Sequence, residues 1–442
     1  MQRSLRWTAL ALWLAACSSG ETIDHSFRMG NMKSIFHTRR LQGLLAFAWA
    51  LTMGCSGGGG GGGDGGSGGP DLGMQDAAVG GVDGGTTITD LGVKSDLLDP
   101  SAPGIELLAG ALGGPGDVDG VGATARVGAV GATYDGAGNL YLADGHGSIR
   151  KLATATGAVT TIAKTPAFPY DLAWDGAGSL YVTVSYLNSA QIMKVSVATG
   201  TTTLLAGSAT SEGYVDGTGP AARFTDLRGV ALDRANGILY VADSGNNLIR
   251  KVVIGSGVVT TLAGALTAGS ADGMGTAARF NKPWGLAYDG AASLYVADQT
   301  GATIRKIDVA STMVSTVSGA YMTKGYQDGN STTARFYAPT GLTFDGAGNL
   351  FITDGAAGTI RRLALATGQV TTFAGLYGTG NSVDGVGSAA RLQLPQGIVW
   401  DGAADLYFTE SYTVRKVALA TADVKTVAGA TFHSGNTDGA GT

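Results

Sequence analysis

Pairs of an acidic residue and an arginine recur along this chain of 442 residues. The acid ends one short apolar run, as in LYVAD, and the arginine follows five to seven residues later in the next run. One unit has Val184 and Met193 at these positions, so both charges are lost together. Joint loss is typical of a buried ion pair, because removing one partner leaves an uncompensated charge that costs about 3–5 kcal/mol. We therefore predict structural ion pairs, and no catalytic residue, at Asp144/Arg150, Asp243/Arg250, Asp298/Arg305, Asp354/Arg361 and Glu410/Arg415.

A second acid and arginine recur in the phrase DGxGxAARF, which precedes five of the six units in this or a closely similar form. Asp-Gly is a strong turn former, so we interpret the phrase as a turn between units. A Ca²⁺ loop is the alternative, but the phrase lacks the further Asp or Asn ligands and the distal Glu of known loops. We therefore predict that the phrase binds no metal and no cofactor, and Ca²⁺ is the one ion that should be tested. The acid and arginine of the phrase are Asp119/Arg126, Asp216/Arg223, Asp272/Arg279, Asp328/Arg335 and Asp384/Arg391.

Other catalytic arrangements find little support. Of the four histidines, only His146 lies within the repeated units, so several histidines cannot meet there around zinc. No GxSxG elbow lies between a strand and a helix, and no helix follows the GxG strings to hold a phosphate. These observations favour a protein that is not an enzyme.

Short strands must position these residues. From Gly229, four β-rich runs (GVALD, ILYVAD, LIRKVV and VVTTLAG) alternate with turns of Gly, Asn and Asp, which predicts a four-stranded antiparallel meander. The Asp that ends the first run recurs at positions 135, 175, 233, 289, 345 and 401, which gives six units. A single meander cannot bury both faces, so we predict an all-β, six-bladed β-propeller of four-stranded antiparallel blades.

Two stretches, FNKPWGLAYDGAASLYVADQTGATIRKI and LYVADSGNNLIRKV, resemble NHL repeats, which form six-bladed propellers. The resemblance covers residues 105–430 and recurs in successive units, so it is specific for the fold. Members of that family bind RNA, bind proteins or act as lyases, so the resemblance does not imply one function. The amidating-lyase relatives require several zinc-binding histidines, and such a site cannot be assembled here because only His146 lies within the repeated units.

In a propeller, the loops between second and third strands and the connections between blades emerge on the same face, here called the loop-rich face. We expect it to collect the DGxGxAARF connections. Convergent loops on a rigid scaffold are a common place for a binding site. The candidates for binding on this face are Tyr186, Tyr214, Trp284, Tyr321, Tyr326 and Tyr377. Bulky residues just before the strand-ending Asp are instead expected to interdigitate between blades: Tyr134, Trp174, Leu232, Tyr288, Phe344 and Trp400.

Residues 1–55 contain two segments that resemble bacterial lipoprotein signals. The first follows Arg3 and Arg6 and ends in a lipobox-like LAAC at Cys17, and the second ends at Cys55, just before a Gly-rich stretch. The first apolar core is too short to span a bilayer as a mature helix. We predict lipidation at Cys55 or Cys17, the only cysteines, and a start at Met29 or Met32 would make Cys55 the anchor.

The rest of the chain divides by composition. We expect residues 56–104 to be a flexible, disordered Gly-rich linker, 105–430 the propeller, and 431–442 a tail or the truncated start of a further repeat. The segment 105–110 (IELLAG) matches a fourth strand without its first three. This segment is either an extra edge strand on a closed ring of six blades, which we favour, or part of an incomplete seventh unit.

The charge distribution restricts the partner. The net charge is −5, and no Lys/Arg cluster follows the signal region, so we expect no nucleic acid. We interpret the chain as a monomeric lipoprotein of the cell envelope, periplasmic or at the outer-membrane surface, that touches the membrane only through its anchor. Its predicted function is non-catalytic recognition of protein or glycan through the loop-rich face. The alternative is a metal-dependent, lactonase-like hydrolase or lyase with its site in the central channel.

Overall fold

A computed structural model describes residues 117–430. Six antiparallel sheets in this range form the blades of a β-propeller, which confirms the predicted fold. The lipidation candidates, the Gly-rich linker, the segment 105–110 and residues 431–442 lie outside the described residues. No helix between residues 117 and 430 is long and apolar enough to cross a membrane.

Each blade is a meander whose innermost strand comes first in the chain. The innermost strands are Ala129–Tyr134, Phe168–Trp174, Leu227–Asp233, Pro283–Tyr288, Pro339–Phe344 and Ile398–Trp400. The second strands are Asn139–Asp144, Ser179–Tyr186, Ile238–Asp243, Ser293–Asp298, Asn349–Asp354 and Asp405–Thr409. The third strands are Ser148–Ala153, Ser189–Ser196, Leu248–Val253, Thr303–Asp308, Thr359–Ala364 and Thr413–Ala418. The fourth strands are Ala158–Lys164, Thr202–Ser208, Val258–Gly264, Met313–Gly319, Gln369–Gly375 and Asp423–Gly429.

The core lies between blades, not within them. Tyr240 and Ile249 of blade 3, for example, pack in one cluster with Leu286 and Val296 of blade 4. The second strands are almost wholly buried because a neighbouring blade covers each of their faces, which explains their continuous apolar sequence. The bulky residues before the strand-ending Asp contribute to these interfaces as predicted, since Trp174 contacts Tyr141 of the preceding blade at a ring distance of 5.3 Å.

Blade 6 joins blade 1 directly. The Gly397 amide and the Thr409 hydroxyl both donate to the Val130 carbonyl at 2.8 Å, and the Tyr134 and Tyr407 rings stack at 6.4 Å. The ring is therefore closed by lateral contacts between two complete blades.

The DGxGxAARF phrases do not lie over the loop-rich face, contrary to the expectation from the sequence. Each runs down the outer edge of its blade and usually adds a short fifth strand, as Thr218 does opposite Val258. The Gly219 amide then donates to the Gly257 carbonyl at 2.9 Å, in the turn at the opposite face of the ring. Short strands of this kind are Gly120–Val121, Gly217–Thr218, Gly273–Met274 and Gly385–Val386, and a single Gly329–Val370 bridge replaces one in blade 5. Within residues 117–430, only blade 2 has no such cover on its outer strand.

Short 3-10 turns complete the described structure. Four of them follow the short fifth strands, and two cap the second strands of blades 3 and 5. In the phrase turns the arginine side chain holds the turn, because Arg279 donates to the carbonyls of Thr276, Ala277 and Ala278. The turns are Gly122–Thr124, Gly219–Ala221, Ser244–Asn246, Gly275–Ala277, Gly355–Ala357 and Gly387–Ala389.

Candidate functional site

The repeated acids and arginines form one network in each of five blades. Arg250 Nη1 lies 2.7 Å from Asp243 Oδ2, and its Nη2 lies 2.7 Å from Asp216 Oδ1 of the phrase. Nη1 also donates to the Arg223 carbonyl, and the guanidinium lies 5.0 Å above the Phe224 ring. Five equivalent arginine side chains are completely buried: Arg150, Arg250, Arg305, Arg361 and Arg415. Because these contacts are made within the fold, the network holds each blade to the phrase that runs along its outer edge.

The pairs differ in their geometry. The separation between acid and arginine is 3.2 Å for Asp144/Arg150 and 3.0 Å for Glu410/Arg415. It lengthens to 3.8 Å for Asp298/Arg305 and for Asp354/Arg361. Burial raises the pKa of Asp298 to about 7 and that of Asp354 to about 6. In blade 2, Val184 and Met193 occupy the two positions and pack in the same apolar cluster.

The structure separates the six aromatic candidates into several places. The Tyr326 and Tyr377 rings stack at 3.9 Å, with Tyr337 a further 6.3 Å from Tyr377. Tyr186, at the end of the second strand of blade 2, packs on Phe168 at 4.7 Å. Exposed Tyr214 has no ring contact among the described residues, and the Tyr321 hydroxyl accepts a hydrogen bond from the Asn281 amide. Trp284 alone faces the central channel.

The central channel is a cavity of about 670 Å³ lined by the six innermost strands. In five blades the residue four before the strand-ending Asp is glycine, and the neighbouring strand approaches it closely. A Cβ on Gly285 would lie 1.9 Å from the Thr340 carbonyl oxygen, and one on Gly341 would lie 2.3 Å from that of Gln396. These glycines let the inner strands pack edge to edge around the channel.

Blade 2 departs from this pattern with Asp171. Its carboxylate Oδ2 accepts a hydrogen bond from the Val230 amide of blade 3 at 3.0 Å. The Thr183 hydroxyl lies 3.2 Å from the Asp171 amide and 2.5 Å from the Arg228 carbonyl, so it ties the two strands together. Burial among the inner strands raises the pKa of Asp171 to about 7. Such a shift is typical of functional carboxyl groups, although structural groups also show it.

An arginine lies between two aromatic rings beside Asp171. The Arg228 guanidinium carbon lies 3.8 Å from the centre of the Tyr170 ring and 4.2 Å from that of Trp284. Its Nη2 pairs with Asp226 at 2.6 Å. All three stacked residues stand five before the strand-ending Asp, near the start of an innermost strand and therefore at the loop-rich end of the channel. We call this ring of positions the channel mouth; its members are Val130, Tyr170, Arg228, Trp284, Thr340 and Gln396.

Sequence reasoning missed Tyr170, Asp171 and Arg228. The signal was present, because Asp171 replaces the glycine that the other five units share. The mouth residues also differ in all six units, whereas the network residues repeat. Variation at one position of a repeated framework indicates that packing does not dictate that residue, except at Thr340, whose buried hydroxyl is hydrogen-bonded to Thr353 and to the Pro395 carbonyl. Only Trp284 of the mouth was singled out beforehand, because it is aromatic.

The described residues, 117–430, contain no cluster of metal-binding groups. No three His, Cys, Asp or Glu side chains converge there. His146 is partly exposed, and its Nδ1 lies 2.8 Å from Asp144 Oδ1. The phrase acids use their oxygens within the blade, as Asp216 does with Arg250 and the Thr261 amide.

Fold and repeat together define a six-bladed β-propeller. The NHL repeat model matches residues 224–252 in blade 3. The chain is 30% identical over 252 residues to Protein SUPPRESSOR OF QUENCHING 1, chloroplastic, from Arabidopsis thaliana, a match to 53% of this chain and 24% of that protein. It is 28% identical over 251 residues to NHL repeat-containing protein 2 from Homo sapiens, which covers 49% of this chain and 34% of that protein. The NHL repeat match, these relatives and the six blades support an NHL-repeat β-propeller, and the matches span about a quarter to a third of the relatives' lengths.

Solved structures show the same fold. A protein of unknown function from Bacteroides thetaiotaomicron is similar with a TM-score of 0.56 and 22% identity, over 70% of this chain and 73% of that one. An auxiliary nutrient binding protein from the same organism is similar with a TM-score of 0.54 and 17% identity, over 72% of this chain and 76% of that one. At these identities the similarity concerns the fold alone.

Proposed function

We propose that this propeller is a non-catalytic binding module that recognises a protein or a glycan through its loop-rich face. The observation that carries the proposal is the channel mouth, where six structurally equivalent positions hold six different residues on a repeated framework. Concave sites lined by aromatic groups and a few polar groups are the usual form of a ligand site. The similar fold of an auxiliary nutrient binding protein supports a binding role.

Capture by the immobilised full chain tests this function. We expect it to retain one class of glycan or one envelope protein, and the variants Trp284→Ala and Tyr186→Ala to lose at least tenfold in affinity. Met274→Ala is the matched control, because Met274 is an exposed, large apolar residue on the outer edge of blade 4. Retention that is the same for all three variants would reject the loop-rich face as the binding surface.

The proposal includes attachment to the cell envelope through a lipid on Cys55 or Cys17. Its support is the sequence of the signal-like segments and the Gly-rich stretch that follows Cys55. Mass spectrometry of the mature N-terminus tests it, and we expect a diacylglyceryl-modified cysteine there. An unmodified Cys55 within a longer mature chain would contradict Cys55 as the anchor.

A hydrolase or lyase with its site in the central channel is the second candidate. Asp171 is the observation that favours it, because a carboxyl group with a pKa of about 7 can exchange protons near neutral pH. Elemental analysis of the purified protein separates the two functions. A tightly held stoichiometric Ca²⁺ or Zn²⁺ would favour the metal-dependent enzyme.

A further inference from the structure

We propose that the channel mouth is a saccharide subsite that binds a neutral, hydroxyl-rich sugar between blades 2, 3 and 4. The inference rests on the proposed function, because it specifies which class of ligand the loop-rich face would bind. It arises from one cluster: the stacked Arg228 with its partner Asp226, the rings of Tyr170 and Trp284, and Asp171 on the adjoining strand.

The charges at the mouth exclude most ionic ligands. Asp226 lies 2.6 Å from Arg228 and already compensates the guanidinium charge. An anionic ligand would therefore find no net positive charge, and it would also face Asp171 whenever that carboxyl is ionised. A cationic ligand would likewise gain no net attraction from the compensated Arg228–Asp226 pair. A neutral ligand that both donates and accepts hydrogen bonds meets neither penalty.

Hydrogen-bonding groups at the mouth are available to such a ligand. Among the described residues, the Tyr170 hydroxyl, the Trp284 indole N–H and the Gln396 side-chain amide have no hydrogen-bond partner. These three groups provide both donors and acceptors along the start of the channel. A sugar ring presents hydroxyl groups in its plane and C–H groups on its faces, so it can use the polar groups and the aromatic rings together.

Asp171 extends the subsite toward the middle of the channel. The residue lies beside Arg228, because the Thr183 hydroxyl bridges its amide to the Arg228 carbonyl. Its Oδ2 accepts a hydrogen bond from the Val230 amide, and Asp171 is one of the residues that line the cavity. A carboxyl group accepts a hydroxyl hydrogen when ionised and donates one when protonated, so either form can bind a sugar hydroxyl. The volume of about 670 Å³ lies in the range of small-ligand sites.

Matched pairs of sugars test the inference. The full chain is titrated by calorimetry with neutral trisaccharides of mannose and galactose, and with trimannuronate and trigalacturonate as their acidic counterparts. We expect at least one neutral sugar to bind, and its acidic counterpart to bind at least tenfold more weakly at low salt. Trp284→Ala and Tyr170→Phe should each weaken the binding of the neutral sugar at least threefold, whereas Met274→Ala, on the outer edge of blade 4, should not change it.

The outcomes separate the inference from the proposed function. Equal or tighter binding of the uronate would overturn the neutral-sugar subsite. If no neutral sugar binds while Trp284→Ala abolishes capture of an envelope protein, the sugar inference fails and the binding function stands. Tyr170→Phe removes one hydroxyl only, so its loss of affinity cannot be attributed to misfolding; an unchanged affinity in both mouth variants would also overturn the inference.

Discussion

Arg250 Nη1 lies 2.7 Å from Asp243 Oδ2, and both side chains are completely buried in blade 3. The equivalent atoms of Arg305 and Asp298 in blade 4 lie 3.8 Å apart, beyond hydrogen-bond distance. Two units with the same sequence spacing between acid and arginine thus form ion pairs with different N–O distances. Ion pairs buried in protein depend strongly on such geometry, because attraction must offset the cost of desolvating both charges.

A double-mutant cycle should reveal this difference. Blade 2 supplies the replacement, since Val184 and Met193 occupy the same positions there. We expect Arg250→Met alone to cost about 3–5 kcal/mol of unfolding free energy, because Asp243 remains buried and loses its charge partner. Adding Asp243→Val should recover part of that loss. Urea denaturation measures the coupling, which should be smaller for Asp298 and Arg305; additive losses in blade 3 would show that the pair does not act as a unit.

The stability of the protein should depend on pH through Asp171. Burial raises its pKa from 3.8 to about 7. An acid with a higher pKa in the folded state contributes its stabilisation fully below pH 3.8 and loses it as the pH rises through 7. We therefore expect the Tm of Asp171→Asn, relative to the unmodified chain, to increase between pH 5 and pH 7.

Asp289 provides the control for this pH dependence. Partial burial acts to raise its pKa, but hydrogen bonds from the backbone amides of Ser293, Ala291 and Ala292 lower it overall. Such a group stabilises the fold above its unfolded pKa and loses that contribution only in acid. Asp289→Asn should lower the Tm by a constant amount between pH 5 and pH 7. A constant difference for Asp171→Asn as well would disprove the assignment of a near-neutral carboxyl to the channel.

The inner glycines should tolerate no side chain. A Cβ on Gly285 would lie 1.9 Å from the Thr340 carbonyl oxygen, and both atoms belong to packed inner strands. We expect Gly285→Ala to cost at least about 3 kcal/mol of unfolding free energy, because the strands must separate. Gly290 has φ of +80° but open space around it, so Gly290→Ala should cost only about 1 kcal/mol. Comparable losses for the two variants in chemical denaturation would contradict the edge-to-edge packing.

The phrase acids should stabilise the blades through the buried arginines. Asp272 Oδ1 lies 2.7 Å from Arg305 Nη2, and its Oδ2 accepts from the Thr316 amide. Asp272→Ala should lower the free energy of unfolding by about 1–2 kcal/mol. We expect a value of about 1 kcal/mol, because half of the Asp272 side chain is exposed and solvent screens its charge. Glu212→Ala, an exposed acid in another connection, should change stability by less than about 0.5 kcal/mol. Equal effects in thermal denaturation would show that the phrase is not coupled to the network.

The sequence predicted the fold because the same local pattern is written six times. Strand runs, turn residues and the joint loss at Val184 and Met193 all follow from short-range rules. The path of the DGxGxAARF phrases was predicted wrongly, because turn propensity says where a chain bends and not where the next residues run. Their acids reach Arg250 and its equivalents over more than thirty residues, as in Asp216 to Arg250.

The candidate site was only partly predictable. Exposed aromatic residues can be found by type, but the stacking of Arg228 between Tyr170 and Trp284 joins residues from three units. That contact depends on how three successive blades pack side by side, which the local pattern of one unit does not give. A comparison of units at each position, instead of a search for aromatic residues, would have found Asp171, because it stands alone among five glycines.

The channel mouth receives one side chain from each blade, while the stability of the blade is determined elsewhere, in the buried network and the interfaces. We therefore expect a substitution at Val130 or Gln396 to change the lining of the opening with little effect on the stability of the propeller. In the proposed binding role, such single substitutions would change which ligand the module selects while its fold is retained.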